Sequence, residues 1–172
     1  MKIPVFLVML LLTSNSAFAQ DCSASLAAEI LQRNAKDQAA RNALTGQPRS
    51  RELSNAVLSI DKDNTAFMRR TLDRCGWPKK SLVGSEAAKA AWRLTQHADM
   101  DPEYQILASR QLRYAVLGKE AEPWDLAVLV DRNRRLNDQP QVYGMQFFRE
   151  GLNNSLSCAT IARPVLDDDR CS

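Results

Sequence analysis

Four cysteines limit the folds that are open to this chain, because an even number of thiols in an oxidising compartment forms disulfides. No two of them form a Cys-x-x-Cys pair and the chain has a single histidine, so their spacing matches no zinc site. Of the possible pairings we favour one that joins the start of a helix to the end of the next and one that closes the C-terminal tail. These predicted disulfides are Cys22–Cys75 and Cys158–Cys171.

The N-terminus indicates where those cysteines would oxidise. Met1-Lys2 is followed by an apolar run, Ile3 to Leu12, and then by Ala17-Phe18-Ala19, the order of a secretory signal peptide. The run is shorter than the roughly 20 residues that cross a bilayer. We therefore expect a signal peptide over 1–19, a periplasmic or secreted location and no stable membrane insertion after cleavage. An uncleaved membrane anchor is the alternative, and the remaining 20–172 is short enough for a single domain.

The hydrophobic pattern of the mature chain is typical of a bundle of about five helices. The predicted helices span 23–44, 51–74, 84–98, 101–117 and 122–136, with Ser23 and Asp101 as N-terminal caps. The first two form an antiparallel hairpin. The third is rich in alanine and can pack closely on several sides, so we place it near the centre.

The last third of the chain changes character after Gln139-Pro140. The β-favouring segments 146–148 and 158–161 predict a short C-terminal β-hairpin or an irregular tail. The fold class is therefore mainly α with two disulfides. The net charge of +3 is interspersed along the chain and forms no basic stripe, so we expect no nucleic-acid partner.

The densest polar cluster is Gln96-His97-Ala98-Asp99-Met100-Asp101, which is followed by Gln105. His97 is a candidate general acid or base, metal ligand or substrate donor. A partly buried ring with a backbone or carboxylate partner is the structural alternative. The spacing of His97, Asp99 and Asp101 would suit a metal, but Asp101 also caps a helix and too few further ligands follow. We expect no metal and no cofactor.

The fifth predicted helix has a carboxylate, Asp131, on the apolar stripe formed by Trp124, Ala127 and Val128. Burying a carboxylate is costly unless it is paired. Because Arg132 projects elsewhere on the helix, we expect the partner of Asp131 to come from another segment. A catalytic role, a buried ion pair and a cap for another segment's backbone all fit this position.

A third polar group is the segment Gln141-Val142-Tyr143-Gly144-Met145-Gln146. Glycine permits backbone conformations that other residues avoid, and two amides and a phenol surround it. These groups can bind a ligand or tie the loop to the helices.

In their order, the three polar groups resemble a bacterial family of domains of unknown function. That family is marked by a Gln-His-Ala-Asp segment, an Asp-Arg pair and a Tyr-Gly-Thr-Gln loop. The matching segments here are 92–99, 101–105, 129–132 and 141–146, and the resemblance covers residues 76–146. Met145 stands where the family has threonine, which puts a hydroxyl role there in doubt. The resemblance implies that His97, Asp131, Tyr143 and Gln146 belong to one site.

The leading functional hypothesis is an exported domain that binds a small molecule or a protein through a polar cleft. The predicted ligand-binding residues are Trp92, Gln96, Asp99, Gln105, Arg132, Gln141, Tyr143 and Gln146. One alternative is a hydrolase-like enzyme in which His97 is the general acid or base and Asp131 orients it. The other is a purely structural cluster that joins the helices to the C-terminal loop.

Overall fold

In a computed structural model, the structure describes residue 22 and residues 24–150 and 155–158. This part of the chain contains six helices, two of which form a long hairpin, and two short strands. The elements are α1 (Ala24–Gly46), α2 (Arg51–Cys75), α3 (Lys80–Val83), α4 (Ser85–Gln96), α5 (Pro102–Leu117), α6 (Pro123–Leu136), β1 (Phe147–Glu150) and β2 (Ser155–Cys158). The strands pair antiparallel, with Phe147 opposite Cys158. No described helix is both long and apolar enough to cross a membrane.

Capping groups set several helix ends. At the start of α2, the Ser50 hydroxyl accepts the N–H of Leu53 at 3.2 Å. At the start of α5, Asp101 accepts the N–H of Tyr104 at 3.0 Å, which confirms the predicted cap. Ser23, the predicted cap of the first helix, lies outside the described residues.

The hairpin of α1 and α2 is closed by a disulfide. The Cys22–Cys75 bond joins the start of α1 to the end of α2, with the two Cα atoms 5.9 Å apart. This half of the disulfide prediction is confirmed. Cys171 of the predicted Cys158–Cys171 bond lies outside the described residues, as does the predicted signal peptide.

Helix α4 lies at the centre, as its alanine content predicted. It contacts α1, α2, α3, α5 and α6. Ala87, Ala90 and Ala91 are almost completely buried, and their small side chains let neighbouring helices approach closely. The large, fully buried apolar side chains around it are Ile30, Met68, Leu94, Tyr104, Leu112 and Leu129.

The structure differs from the predicted helices in two places. A one-turn helix, α3, precedes α4, so the described residues contain six helices where about five were expected. Gly84 separates the two with φ 81°, a left-handed conformation that favours glycine. In addition, α4 ends at Gln96 and not at Ala98. His97 therefore lies in the turn after α4, outside the regular helix, so helical spacing does not fix the direction of its side chain.

Candidate functional site

The turn formed by residues 97–101, between α4 and α5, is held by three different helices. His97 bonds to α1, Asp99 to α6 and Asp101 to α2. The bond to α2 comes from Arg69, whose Nη2 donates to the two carboxylate oxygens of Asp101 at 2.7 and 2.6 Å. The polar cluster predicted from the sequence is therefore a junction between helices.

His97 lies beside Asp37 and Arg41 of α1 and Asp61 of α2. Its Nδ1 is 3.0 Å from Asp37 Oδ1 and 3.0 Å from Arg41 Nε. Arg41 also donates from Nε to Asp37 Oδ1 at 3.1 Å and from Nη2 to Asp61 Oδ1 at 2.5 Å. The Asp37 side chain is 1% exposed and that of His97 is 16% exposed. A buried carboxylate therefore contacts an imidazole that keeps limited access to solvent.

The proton on His97 Nδ1 decides which neighbour this nitrogen bonds. An ionised carboxylate only accepts hydrogen bonds, and a guanidinium only donates them. Asp37 therefore bonds Nδ1 when that nitrogen is protonated, and Arg41 bonds it when it is not. When the neutral ring has its proton on Nδ1, Nε2 is the basic nitrogen.

The two carboxyl groups in contact with Arg41 have pKa values shifted in opposite directions. Burial raises the pKa of Asp37, but the hydrogen bond and charge of His97, with help from Gln38 and Arg41, outweigh burial and leave the pKa lowered. Burial is also the largest influence on Asp61, and the charge and hydrogen bond of Arg41 do not offset it, so its pKa is raised. Environments that separate two pKa values in this way are a mark of acid–base sites.

Asp37, Asp61 and His97 are also the described residues that come closest to a metal-binding set. One ligand atom from each lies within 4.8 Å of the other two. The guanidinium of Arg41 bonds all three, so a cation at this point would have to displace a positive charge that is already in place. In the other metal pattern considered, each residue contacts a different arginine: His97 contacts Arg41, Asp99 contacts Arg132 and Asp101 contacts Arg69.

Asp99 and Arg132 form a two-point ion pair. Arg132 donates from Nε to Asp99 Oδ1 at 2.7 Å and from Nη2 to Oδ2 at 2.5 Å. Close by, the buried Gln105 donates from Nε2 to the backbone carbonyls of Thr95 and Gln96, each at 3.2 Å. Four predicted ligand-binding residues thus meet at the end of α4, where they connect α4, α5 and α6.

Asp131 is completely buried, as its position on the apolar stripe predicted. Its partners come from another segment, also as predicted, and they are backbone N–H groups. Oδ1 accepts from Val142 at 2.7 Å, and Oδ2 accepts from Tyr143 at 3.0 Å and Met145 at 2.9 Å. The carboxylate therefore fixes the loop that follows α6, which matches the structural interpretation of this residue.

The two glutamines of the loop reinforce the same arrangement. Gln141 Nε2 donates to the Gln146 carbonyl at 2.9 Å, and Gln141 Oε1 accepts the Gln146 N–H at 2.6 Å. The Gln146 amide donates to the Val128 carbonyl of α6 at 3.4 Å. Tyr143 is 42% exposed and the adjacent Val142 is 41% exposed, so these two side chains of the loop face solvent. The loop therefore presents one aromatic ring to solvent from a fixed backbone.

Trp92 makes its contacts on another side of α4. Its Nε1 donates to the Asp125 carbonyl of α6 at 2.8 Å. The Lys89 ammonium lies 4.1 Å from the centre of the Trp92 ring, a cation–π contact. With Trp77, this side chain lines a small cavity of about 220 Å³.

The two predicted catalytic residues form their hydrogen bonds with different parts of the molecule. His97 bonds to α1, and Asp131 bonds to the loop after α6. Sequence reasoning missed Asp37, Arg41 and Asp61. Asp37 had a detectable signal, because it lies seven residues after the buried Ile30 and so on the same helix face. The signal is weaker than that for Asp131, because Arg33 and Asn34 occupy the positions four and three residues before Asp37.

These features define a mainly helical protein in which a disulfide-closed hairpin and a polar turn meet beside an Asp–His pair whose carboxylate is buried. The chain belongs to a family of unknown function, DUF6624, whose model matches residues 24–172. The predicted resemblance to a family of unknown function is thereby confirmed, and the match extends beyond 76–146 toward both ends. No curated protein and no solved structure matches the chain.

Proposed function

We propose that this chain is a hydrolase-like enzyme in which His97 is the general acid and base and Asp37 orients it. The observation that supports this proposal is the 3.0 Å contact between His97 Nδ1 and the buried Asp37 Oδ1. A carboxylate that holds one ring nitrogen fixes the tautomer and leaves the other nitrogen to move protons. Asp37 takes the orienting role that the sequence suggested for Asp131.

In the proposed reaction, His97 Nε2 accepts a proton from water while the water oxygen bonds to the electrophilic atom of the substrate. The proton then passes from Nε2 to the leaving group as its bond to the substrate breaks. Asp37 stabilises the imidazolium that exists between the two transfers. Asp61, whose pKa is raised by burial, supplies a second carboxyl group near the ring.

Arg132 takes a positioning role in this scheme. Its Nε and Nη2 already bond Asp99, so the guanidinium is directed at the protein itself. Through Asp99 it holds the turn that contains His97. We therefore assign to Arg132 the placement of the imidazole, and not the binding of an anionic intermediate.

A second candidate is the binding of a small molecule or protein at the predicted polar cleft. The observation that favours it is Tyr143, an exposed ring on a backbone that Asp131 fixes through the Tyr143 N–H. A rigid aromatic side chain loses little conformational entropy when a partner covers it. Substitution of Tyr143 by alanine separates this candidate from catalysis, since it would weaken binding and leave the His97 tautomer unchanged.

We also propose that the mature chain works in the periplasm or outside the cell. The Cys22–Cys75 disulfide supports this location, because cystines persist in oxidising compartments. Fractionation of cells that express the full chain tests it: the processed protein should appear outside the cytoplasm, with the bond formed. Recovery of the reduced, unprocessed chain in the cytoplasm would contradict it.

The histidine itself provides the sharpest test, because the chain has only one. With the ring neutral, nitrogen-15 NMR should show a protonated Nδ1 and an unprotonated Nε2, and the Asp37→Asn variant should weaken that preference. Asp63→Asn, a change at a side chain that is 69% exposed, is the matched control. A ring with its proton on Nε2, bonded by Arg41, would overturn the proposal.

Turnover is tested with 4-nitrophenyl esters, phosphates and glycosides. For the class that the wild type hydrolyses, His97→Gln should lower kcat/KM by roughly 100-fold or more, the usual range for a general base. Thermal unfolding of each variant establishes that the fold is retained. Undiminished hydrolysis by a folded His97→Gln variant would exclude His97 as the catalyst.

A further inference from the structure

A second surface of the molecule lies between the outer faces of α5 and α6, and it uses none of the residues discussed so far as catalytic. It is a groove with a volume of about 710 Å³. This is within the range of roughly 300–1,000 Å³ that is usual for ligand sites. Its lining includes Leu107, Arg110, Arg113, Tyr114, Asn133 and Arg134.

The α5 wall of the groove exposes apolar side chains at helical spacing. Ile106 is 40% exposed, Leu107 is 36% exposed and Tyr114 is 70% exposed. Side chains three, four and seven residues apart lie on one side of a helix. Leu107 and Tyr114 are seven residues apart and therefore lie on one side of α5, with Ile106 beside Leu107 and with Arg110 and Gln111 between them.

The same groove is positively charged. Arg110 and Arg113 extend from α5 and Arg134 from α6, and no aspartate or glutamate lines the groove. In the part of the chain that the structure describes, Arg110 and Arg113 meet no carboxylate. Arg134 donates from Nε to the Pro140 carbonyl at 2.5 Å, which fixes its stem beside the groove. The groove therefore combines exposed apolar side chains with guanidinium groups that face no carboxylate from the described residues.

The two walls of the groove are bonded to each other. Asn133 Nδ2 of α6 donates to Ser109 Oγ of α5 at 2.9 Å, and Ser109 Oγ donates to the Gln105 carbonyl at 2.8 Å. Because the Ser109 hydroxyl proton is already used, its oxygen must accept from Asn133. The spacing of α5 and α6 is thus set before any partner arrives, which reduces the entropy cost of binding.

We propose that this groove binds an acidic amphipathic peptide segment of a partner protein. Its carboxylates would pair with Arg110 and Arg113, and its apolar side chains would cover Ile106, Leu107 and Tyr114. Charge complementarity selects an acidic partner. The concave shape favours a peptide over a lipid bilayer, because a flat surface cannot enter a groove between two helices. Grooves that hold amphipathic helices are a recurring form of peptide recognition.

The probe for this proposal is a fluorescein-labelled peptide of Glu-Leu-Leu-Glu repeats, with a Gln-for-Glu peptide as its uncharged control. Fluorescence anisotropy should show that the acidic peptide binds the wild type and that Arg110→Gln/Arg113→Gln binds it about tenfold more weakly. The matched variant Arg49→Gln/Arg51→Gln removes the same charge from exposed positions at the α1–α2 turn and should bind like the wild type. The affinity should fall as salt rises.

Equal weakening by the two double variants, or no binding of the acidic peptide, would overturn the proposal. If the protein bound phosphatidylglycerol vesicles more strongly than the peptide, and if that binding required the two arginines, the partner would be a membrane and the peptide proposal would be wrong. If sedimentation showed wild-type dimers that are absent from the Arg110→Gln/Arg113→Gln variant, the occupant of the groove would be a second copy of the chain and the peptide proposal would be wrong. His97→Gln should leave peptide binding unchanged, so failure of the proposed enzyme and failure of this surface are distinguishable.

Discussion

Asp37 and Asp131 are two buried carboxylates that the same molecule uses in different ways. Both lie on the buried faces of their helices, Asp37 seven residues after the fully buried Ile30 and Asp131 three residues after the buried Val128, and neither is more than 1% exposed. Asp131 accepts backbone N–H groups from one loop. Asp37 contacts the side chains of His97, Arg41 and Gln38. Because a buried carboxylate needs partners whatever its role, burial alone does not separate a structural role from a chemical one. The identity of the partners does.

The distinction is chemical. A backbone N–H does not gain or lose a proton in the physiological range, so Asp131 can only fix a shape. An imidazole does exchange protons in that range, so Asp37 can influence a reaction. The region around Asp37 and the region around Asp131 should therefore respond separately to substitution.

The largest effect is expected from the disulfide. Replacing Cys22 and Cys75 by serine should lower the free energy of unfolding by about 4 kcal/mol in the chain-entropy model, since the bond spans 53 residues. Urea unfolding measures the loss. Because the bond closes the hairpin that contains Asp37 and Asp61, amide hydrogen exchange should increase more in α1 than in the loop 142–145. A larger increase in that loop would contradict the separation of the two regions.

Asp131→Asn should lower the free energy of unfolding by about 3 kcal/mol. The asparagine side chain has a single acceptor oxygen, so at least one buried N–H loses its acceptor, and the new NH₂ group faces other N–H donors. Urea unfolding and exchange of the Val142, Tyr143 and Met145 amides measure this effect. Asp63→Asn is the exposed control; it loses a solvent-screened ion pair with Arg33, so the expected change is no more than about 1 kcal/mol. The His97 NMR signals should stay in place; their displacement would show that the two regions are coupled.

Asp37→Asn should cost about 2 kcal/mol at neutral pH through loss of charge-assisted hydrogen bonds. Because the native pKa of Asp37 is lowered, chiefly by His97 against the opposing effect of burial, its stabilisation is present above the ordinary value of 3.8. It is lost as pH falls through the native pKa. The difference between variant and wild type should therefore shrink in acid, as measured by urea unfolding across pH.

The contribution of Asp61 to the pH dependence of stability should have the opposite sign to that of Asp37, so the two residues can be compared within one protein. Burial raises the pKa of Asp61 above 3.8, so its ionised form opposes folding at neutral pH and that cost disappears as pH falls through the raised value. Asp61→Asn should therefore be less destabilising than Asp37→Asn at neutral pH. Equal losses in the two variants would show that their environments are alike.

The smallest effect is expected between the two regions, at Asp99 and Arg132. These side chains are 36% and 20% exposed, so solvent screens their attraction. A double-mutant cycle of Asp99→Asn and Arg132→Gln should give a coupling of about 1 kcal/mol. If Arg132 positions His97, the same variants should also shift the His97 signals. An unchanged imidazole spectrum would limit Arg132 to a structural role.

The helices were largely predictable because their signals are local. Asp101-Pro102 begins α5 and Gly118 ends it, as the sequence indicated. Helix α3 was missed because four residues are too few for a periodic pattern. The burial of Asp131 was predictable from its stripe, but its partners were not, since backbone N–H groups exist at every position and leave no trace in the sequence. Arg41 is a partly exposed side chain whose contacts resemble those of an ordinary surface charge. Asp61 did carry a signal, because it lies four residues after the buried Val57 and seven before the buried Met68.

Three side chains of the turn 97–101 bond to three different helices, and this limits how the length of the segment can vary. His97, Asp99 and Asp101 reach α1, α6 and α2 in turn. Insertion or deletion of a single residue among them would put at least one anchor on the wrong side and detach a helix. The length of this segment is therefore fixed more strictly than its composition. We expect substitution of Met100, which is 83% exposed, to be tolerated, and a change in the spacing around it to destabilise the fold.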